Sequence, residues 1–480
     1  ALARIPEQRF NLAVLALYVL AVGVTMLAHE MWFDEIQAWL IARDSHGLAD
    51  LIHNLHYEGH PALWYLLLMP LTRVTRDPAI MQGLQLALAS AAMAVILWRA
   101  PFSHLERLVL PFGHFVLFEY GVKSRCYALG FLLLVLFCSL WRERRKHPVL
   151  MAVLLAALAN VHLYFAFASA AALACLVVDR ILGGAPGVLD RSSDRRWNVL
   201  AVLILCAGWA LAAAVALPPA DSGFAMGWSF GLSGERILGV VRALGELVGA
   251  GRWAGAIAAM LVLAIILRRF RNNPAAAVFL LASIGGILAF TYAKLGVTWA
   301  QGVVFLCFLA AVWIDRAGID PSGAKAGKSA LLVPPGLFMA VLAVQALVGL
   351  AVASQDFARP YSNGSAAARF IRERGWAAGP IVGIPDIHTC TVVGYLGVDR
   401  IYYANGRRWG SFAVWDRRRL EPIDMEAVMR DVDRFGPSAT FIVAEGQPVD
   451  PSMLARHGFH EVARFQGAIV QDENYVIYHR

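Results

Sequence analysis

The chain has 480 residues, 59% of them hydrophobic and only 16% charged, with a mean hydropathy of +0.58. A soluble chain carries about 25% charged residues, so a mainly soluble protein, a disordered chain and a fibrous repeat are excluded. Long, non-alternating apolar runs exclude a β-barrel and leave an all-α polytopic membrane protein. The net charge of +8 reads as membrane topology rather than nucleic-acid binding.

A helix needs about 20 apolar residues to cross the hydrocarbon. The first such run, 11–28, follows Arg4 and Arg9 and ends at His29-Glu30-Met31. That is no small-residue cleavage site, so the run reads as a retained first span. Further spans are expected over 79–98, 107–121, 126–141, 148–164, 165–180, 197–217, 252–268, 274–292, 297–314 and 331–353. Segment 61–72 is too short to cross and reads as an interfacial or re-entrant helix. With the amino terminus cytoplasmic, eighteen cations then fall in the inner connections and nine in the outer ones, the asymmetry expected of cytoplasmic loops. About 11 crossings leave the carboxyl terminus outside. The six cysteines, Cys126, Cys138, Cys175, Cys206, Cys307 and Cys390, form no C-x-x-C pair, which indicates neither a disulfide framework nor a zinc site.

The membrane region is expected over 1–353, with a first outer loop at about 29–78. From about Ser354 charges return and apolar runs shorten to strand length, as in Pro380–Ile384, Thr440–Ala444 and Tyr475–Tyr478. Helical stretches, Ser365–Arg374 and Met425–Phe435, lie between them. Alternating strands and helices predict a small extracytoplasmic α/β domain over 354–480.

This topology gathers the unusual polar residues at the outer ends of the helices. In the first loop Trp32, Ile36, Trp39 and Leu40 fall at helical spacing and are expected to lie in the interface, holding Asp34 and Glu35 at the membrane surface; the helix alone reads equally as amphipathic with its acids merely solvated. The loop continues through His53, His56, Glu58 and His60-Pro61 to Trp64-Tyr65. These are proton-exchanging and sugar- or anion-binding side chains, though their spacing matches no standard metal-ligand set. Lys123 and Arg125 are cations on the wrong side for the positive-inside trend. An anionic ligand explains them, and so does snorkelling to the interface. Asn160-Val161-His162 and the turn from Tyr292 through Lys294 and Trp299 to Gln301 complete the set. Their convergence on one face is the functional signal.

The acidic pair Asp34-Glu35 after the first span, the stretch Glu58-Gly59-His60-Pro61-Ala62-Leu63-Trp64-Tyr65, the stretch Arg125-Cys126-Tyr127-Ala128-Leu129 and the cation-aromatic turn Lys294–Trp299 together resemble the GT-C superfamily of membrane glycosyltransferases. Within it they are most similar to the protein O-mannosyltransferase and aminoarabinose transferase branch. The resemblance covers about residues 10–350 and departs in its histidine-rich loop and in Lys294, where an arginine-rich site is expected. It implies a GT-C-like fold in a bacterial plasma membrane. It also implies transfer of a sugar, hexosyl or pentosyl, from a polyprenyl-phosphate donor to a glycan, lipid or protein acceptor on the outer face. Asp34 would be the general base and Glu35 its support. Lys123, Arg125, Tyr127 and Lys294 would meet the donor phosphate, with Arg242 and Arg252 as weaker candidates. Glu58, His60, His56, His162, Tyr292, Trp299 and Gln301 would hold sugar or acceptor. No cofactor is required on this reading, because one leaving phosphate charge can be met by Lys and Arg; a diphosphate donor would favour a metal. The rival readings are a polysaccharide polymerase or ligase using a diphosphate-linked donor, and a transporter or flippase of a lipid-linked or anionic solute.

Overall fold

The computed structural model describes residues 6–182, 192–223, 230–249, 253–294, 298–318 and 335–480. The helices run in chain order α1 Glu7–Ala28, α2 Phe33–Asp44, α3 Leu48–Asn54, α4 Leu63–Val74, α5 Ile80–Arg99, α6 His104–Val109, α7 Tyr127–Ser139, α8 Pro148–Ala159, α9 Leu163–Leu182 and α10 Ser192–Ala216. They continue as α11 Gly234–Gly245, α12 Trp253–Phe270, α13 Pro274–Lys294, α14 Thr298–Gln301, α15 Val303–Ala317, α16 Pro335–Ala358, α17 Gly364–Glu373, α18 Asp386–Leu396, α19 Met425–Val432 and α20 Pro451–Arg456. Among the described residues seven helices are long and apolar enough to cross a membrane: α1, α5, α9, α10, α12, α13 and α16. At 1.5 Å per residue the 22 residues of α1 match a hydrocarbon core about 30 Å thick. Leu20, Leu27, Leu203, Leu261 and Leu347 stand exposed on these helices, as lipid-facing positions do.

The remaining expected spans take shorter forms. Residues 107–121 do not form one helix. α6 gives way to a tight turn at Leu110–Phe112 and then to a π-helical segment, Phe115–Val122. Pro111 has no N–H for a continuous ladder, and the Lys123 N–H reaches five residues back to the Phe118 carbonyl at 3.2 Å. α15 is buried on nearly every side, because a helix apolar all round belongs in a core. α4 has 12 residues with Pro70 inside it, about 18 Å of rise, too short to cross alone.

α16 ends at Ala358, beyond the expected boundary, and α17 follows after a short link. The carboxyl-terminal unit is a six-stranded sheet in the order β3-β2-β1-β4-β6-β5, with β1 Ile381–Ile384, β2 Ile401–Tyr403, β3 Arg408–Gly410, β4 Thr440–Ala444, β5 His460–Phe465 and β6 Tyr475–His479. β1 pairs parallel with β2 and β4, and the other pairs are antiparallel. The chain is therefore a polytopic helical protein with a small carboxyl-terminal α/β domain.

α2 corrects one expectation. It does not lie with one face in the interface, because residues from Glu35 to Arg43 are buried along its whole length. α4 packs on one side and α18 of the carboxyl-terminal domain on the other. At Gly394 of α18 a Cβ would collide with the Ile36 side chain, so the glycine sets how closely the two helices approach. Ile36, Ala38, Leu40, Ile41 and Ala42 leave α2 no polar stripe wide enough for water, which is why it becomes the filling between bundle and domain.

Candidate active site

α2 is fixed at its first turn from three directions. The Glu35 carboxylate reaches back to the Trp32 N–H at 3.3 Å, the N3-to-cap contact of a capping box. It also accepts the Ser124 N–H at 2.5 Å and faces His29 Nε2 at 3.0 Å. His29 Nδ1 lies 2.7 Å from Asp356 of α16. Burial lowers the His29 pKa, but the carboxylates of Glu35 and Asp356 outweigh it and hold the imidazole up at about 9. His29 is thus a cation at neutral pH, tying α1, α2 and α16 together. From the carboxyl-terminal domain, Glu473 accepts the Phe33 N–H at 2.7 Å and the Thr391 hydroxyl at 3.0 Å, and the Ser362 hydroxyl as well.

So held, α2 turns Asp34, Gln37 and Ala38 into a small, partly open cleft. Positions i, i+3 and i+4 share one helix face. Glu58, His60 and Tyr65 form a second wall, Arg125 a third, and Ile387 and Trp415 of the carboxyl-terminal domain close it. Arg125 Nη1 sits 3.2 Å from Asp34 Oδ2 and 2.5 Å from the Asp34 carbonyl oxygen. The Gln37 amide donates to Glu58 Oε1 at 2.8 Å and to the Ala413 carbonyl at 2.7 Å, and accepts the Ala413 N–H at 3.0 Å. One side chain therefore joins α2, the first loop and the carboxyl-terminal domain.

The cleft separates its two carboxyl groups electrostatically. Burial raises the Asp34 pKa, but Arg125 and then Lys123 pull it back toward the charged form. Burial pushes Glu58 up to about 8, with Gln37 and Arg125 lowering it less and Asp34 raising it further. The two carboxyl groups thus differ in setting: Asp34 faces a guanidinium, whereas Glu58 is a neutral hydrogen-bond donor near pH 7. Burial and then Arg125 lower the His60 pKa to about 4, so its imidazole is neutral. His60 lies 5.2 Å, ring to ring, from His162. The Tyr164 N–H donates to His162 Nδ1 at 3.2 Å, which leaves the His162 proton on Nε2, facing the Tyr127 hydroxyl.

The structure does not bring all the expected residues into this cleft. Glu35 is fully buried in its clamp. Lys123 places its ammonium 2.8 and 3.0 Å from the two oxygens of Glu119 and 4.9 Å from the Tyr361 ring. His56 is exposed and stacks edge-on with Tyr57. Tyr292 and Lys294 end α13, where the Tyr292 hydroxyl donates to the Gly231 carbonyl and Arg236 binds the carbonyls of Tyr292 and Ala293. Gln301 is buried at the end of α14, and Arg242 lies in the last turn of α11. Arg252 and the Trp299 side chain fall outside the described residues. The histidine-rich loop does not converge: among the described residues no group of three or more His, Cys, Asp or Glu could hold a metal ion.

Gln37, Trp415 and Ile387 also line the cleft, and sequence reasoning did not place them there. Gln37 carried a signal, one polar residue a helical turn from Asp34. Trp415 and Ile387 carried none, because only the folded domain brings them there.

Two solved structures resemble this chain. Both are cryo-EM structures of the arabinofuranosyltransferase AftD from Mycobacteria, one of them a mutant. They are each 14% identical to this chain, with TM-scores of 0.42 and 0.39. The matches cover 98% of this chain but only 40% and 41% of the other, so this chain spans about two fifths of that protein's length. No family model and no curated protein matches the sequence.

Proposed function

We propose that the protein is a membrane glycosyltransferase that moves a sugar from a polyprenyl-phosphate donor to an acceptor hydroxyl, with Asp34 as general base. The observation that carries this reading is the Asp34–Arg125 pair at 3.2 Å in a cleft shared with Glu58 and His60. A buried carboxylate whose charged form is favoured by an adjacent guanidinium is equipped to take the acceptor's proton. The guanidinium has five donors, of which Nη1 serves Asp34, and it is the cation best placed to meet the departing lipid phosphate. Glu58 and His60, both neutral near pH 7, can hydrogen-bond hydroxyls without adding charge. Glu35 acts as a positioning residue through His29 and Ser124.

Transfer occurs on the extracytoplasmic face of a plasma membrane on this reading, supported by the arginine-rich connections at the opposite ends of the helices. The 1–353 region supplies the donor side of the site and the 354–480 domain its far wall. The test is reconstitution of the purified protein in liposomes with a polyprenyl-phosphate sugar. Acceptor-dependent release of polyprenyl monophosphate, read by mass spectrometry, is expected. Uptake of the donor across the bilayer without release would instead make it a transporter.

A further inference from the structure

We propose that Trp415 is a stacking platform for the acceptor's sugar ring, so that the carboxyl-terminal domain carries a glycan-binding half-site of the transferase. The inference rests on the transferase reading and adds to it the acceptor's class and the residue that selects it.

Three constraints hold this indole at the mouth. Its carbonyl accepts the Gly223 N–H at 2.8 Å, while the next residue, Asp416, bridges to Ser222 in strand fashion; the link after α10 therefore pins the domain's loop to the bundle. The Arg419 guanidinium lies over the ring at 4.1 Å. Arg419 is itself fixed, with Nε 3.0 and 3.2 Å from the oxygens of Asp386, whose side chain is fully buried. Arg408 adds a second cation to the same carboxylate at 3.6 Å. A ring immobilised in this way loses little entropy when a ligand stacks on it.

The cleft has the chemistry of a sugar site. Its bundle-side wall offers two carboxyl groups, an imidazole and a guanidinium, while Trp415 and Ile387 line its domain-side wall. A sugar ring presents hydroxyls around its rim and polarised C–H bonds on its face, and the negative face of an aromatic π-system attracts such C–H groups. A polyprenyl tail would leave the polar wall unsatisfied. Because Trp415 belongs to the domain rather than the bundle, the ring it supports is the one that does not arrive on a lipid.

The test reads binding alone. The full-length protein in nanodiscs is probed by saturation-transfer-difference NMR with methyl α-D-mannopyranoside, methyl β-D-galactopyranoside and methyl α-D-arabinofuranoside. At least one glycoside should receive saturation. Trp415→Leu, which keeps apolar bulk and the backbone anchor but no π face, should weaken that binding about tenfold, while Trp415→Phe should retain most of it. Equal binding by Trp415→Leu would reduce the indole to a space-filler and overturn the proposal, as would the absence of saturation in all three glycosides. No turnover is needed, so this result is separable from the fate of Asp34 in transfer assays.

Discussion

Replacing Arg125 with Ala removes the cation 3.2 Å from the Asp34 carboxylate. Burial already raises the Asp34 pKa, and Arg125 is the largest influence opposing it. An arginine beside an aspartate favours its charged form, so Asp34 in the variant should titrate higher. A base works only when ionised: transfer is present above the Asp34 pKa and lost as pH falls through it. The acid limb of the pH–rate profile should therefore move to higher pH. If the same guanidinium meets the departing phosphate, the plateau should also fall by about 100- to 1,000-fold. Arg125→Lys separates the two effects. It keeps the charge and should leave the acid limb near its original position, while losing the fork geometry and part of the plateau. The assay is initial transfer rate from a polyprenyl-phosphate sugar across the acid and neutral range. An acid limb that stays put in Arg125→Ala would refute the coupling of this cation to the base.

Glu58, pushed up to about 8, should give the profile an alkaline limb near that pH, as its donated proton is lost when the pH rises through it. Glu58→Gln keeps a donor at every pH and should flatten that limb; a limb that persists belongs to another group. Glu473→Ala strips the acceptor from the Phe33 N–H, a loss of about 1 kcal/mol for the helix cap. It also strands the buried hydroxyls of Ser362 and Thr391, so thermal unfolding should come earlier and kcat should fall with acceptor KM little changed. Lys123→Ala leaves the Glu119 carboxylate buried without its ammonium and should cost about 3–5 kcal/mol in unfolding, partly restored by adding Glu119→Gln. Full stability with lost donor affinity would instead return Lys123 to the phosphate site.

The membrane helices were legible because length and apolarity are local properties: α1, α5, α9, α10, α12, α13 and α16 lie where the long apolar runs placed them. Asp34, Glu58, His60 and Arg125 were legible as chemistry out of place in such a chain, and the fold brings these four into one cleft. Lys123 had one partner legible in the sequence itself. A cation at the unexpected membrane end asked for an anion, and Glu119 stood four residues earlier, the spacing of a helical ion pair. α2 was misread for a different reason. Its periodicity marks an apolar face but does not say whether lipid or protein covers it, and the α18 partner lies some 350 residues further along the chain. The same long separation hid Trp415 and the Gln37–Ala413 link.

The central claim is that the Asp34 carboxylate takes the acceptor's proton. Asp34→Asn preserves shape and can still receive a hydrogen bond from Arg125 through its amide oxygen, but it accepts no proton. Purified in parallel, the variant and the unaltered protein should unfold at similar temperatures and bind polyprenyl-phosphate sugar alike. The variant should release polyprenyl monophosphate about 100-fold more slowly or worse. Release at the unaltered rate by a folded, donor-binding Asp34→Asn protein would contradict the assignment of this cleft as the catalytic centre.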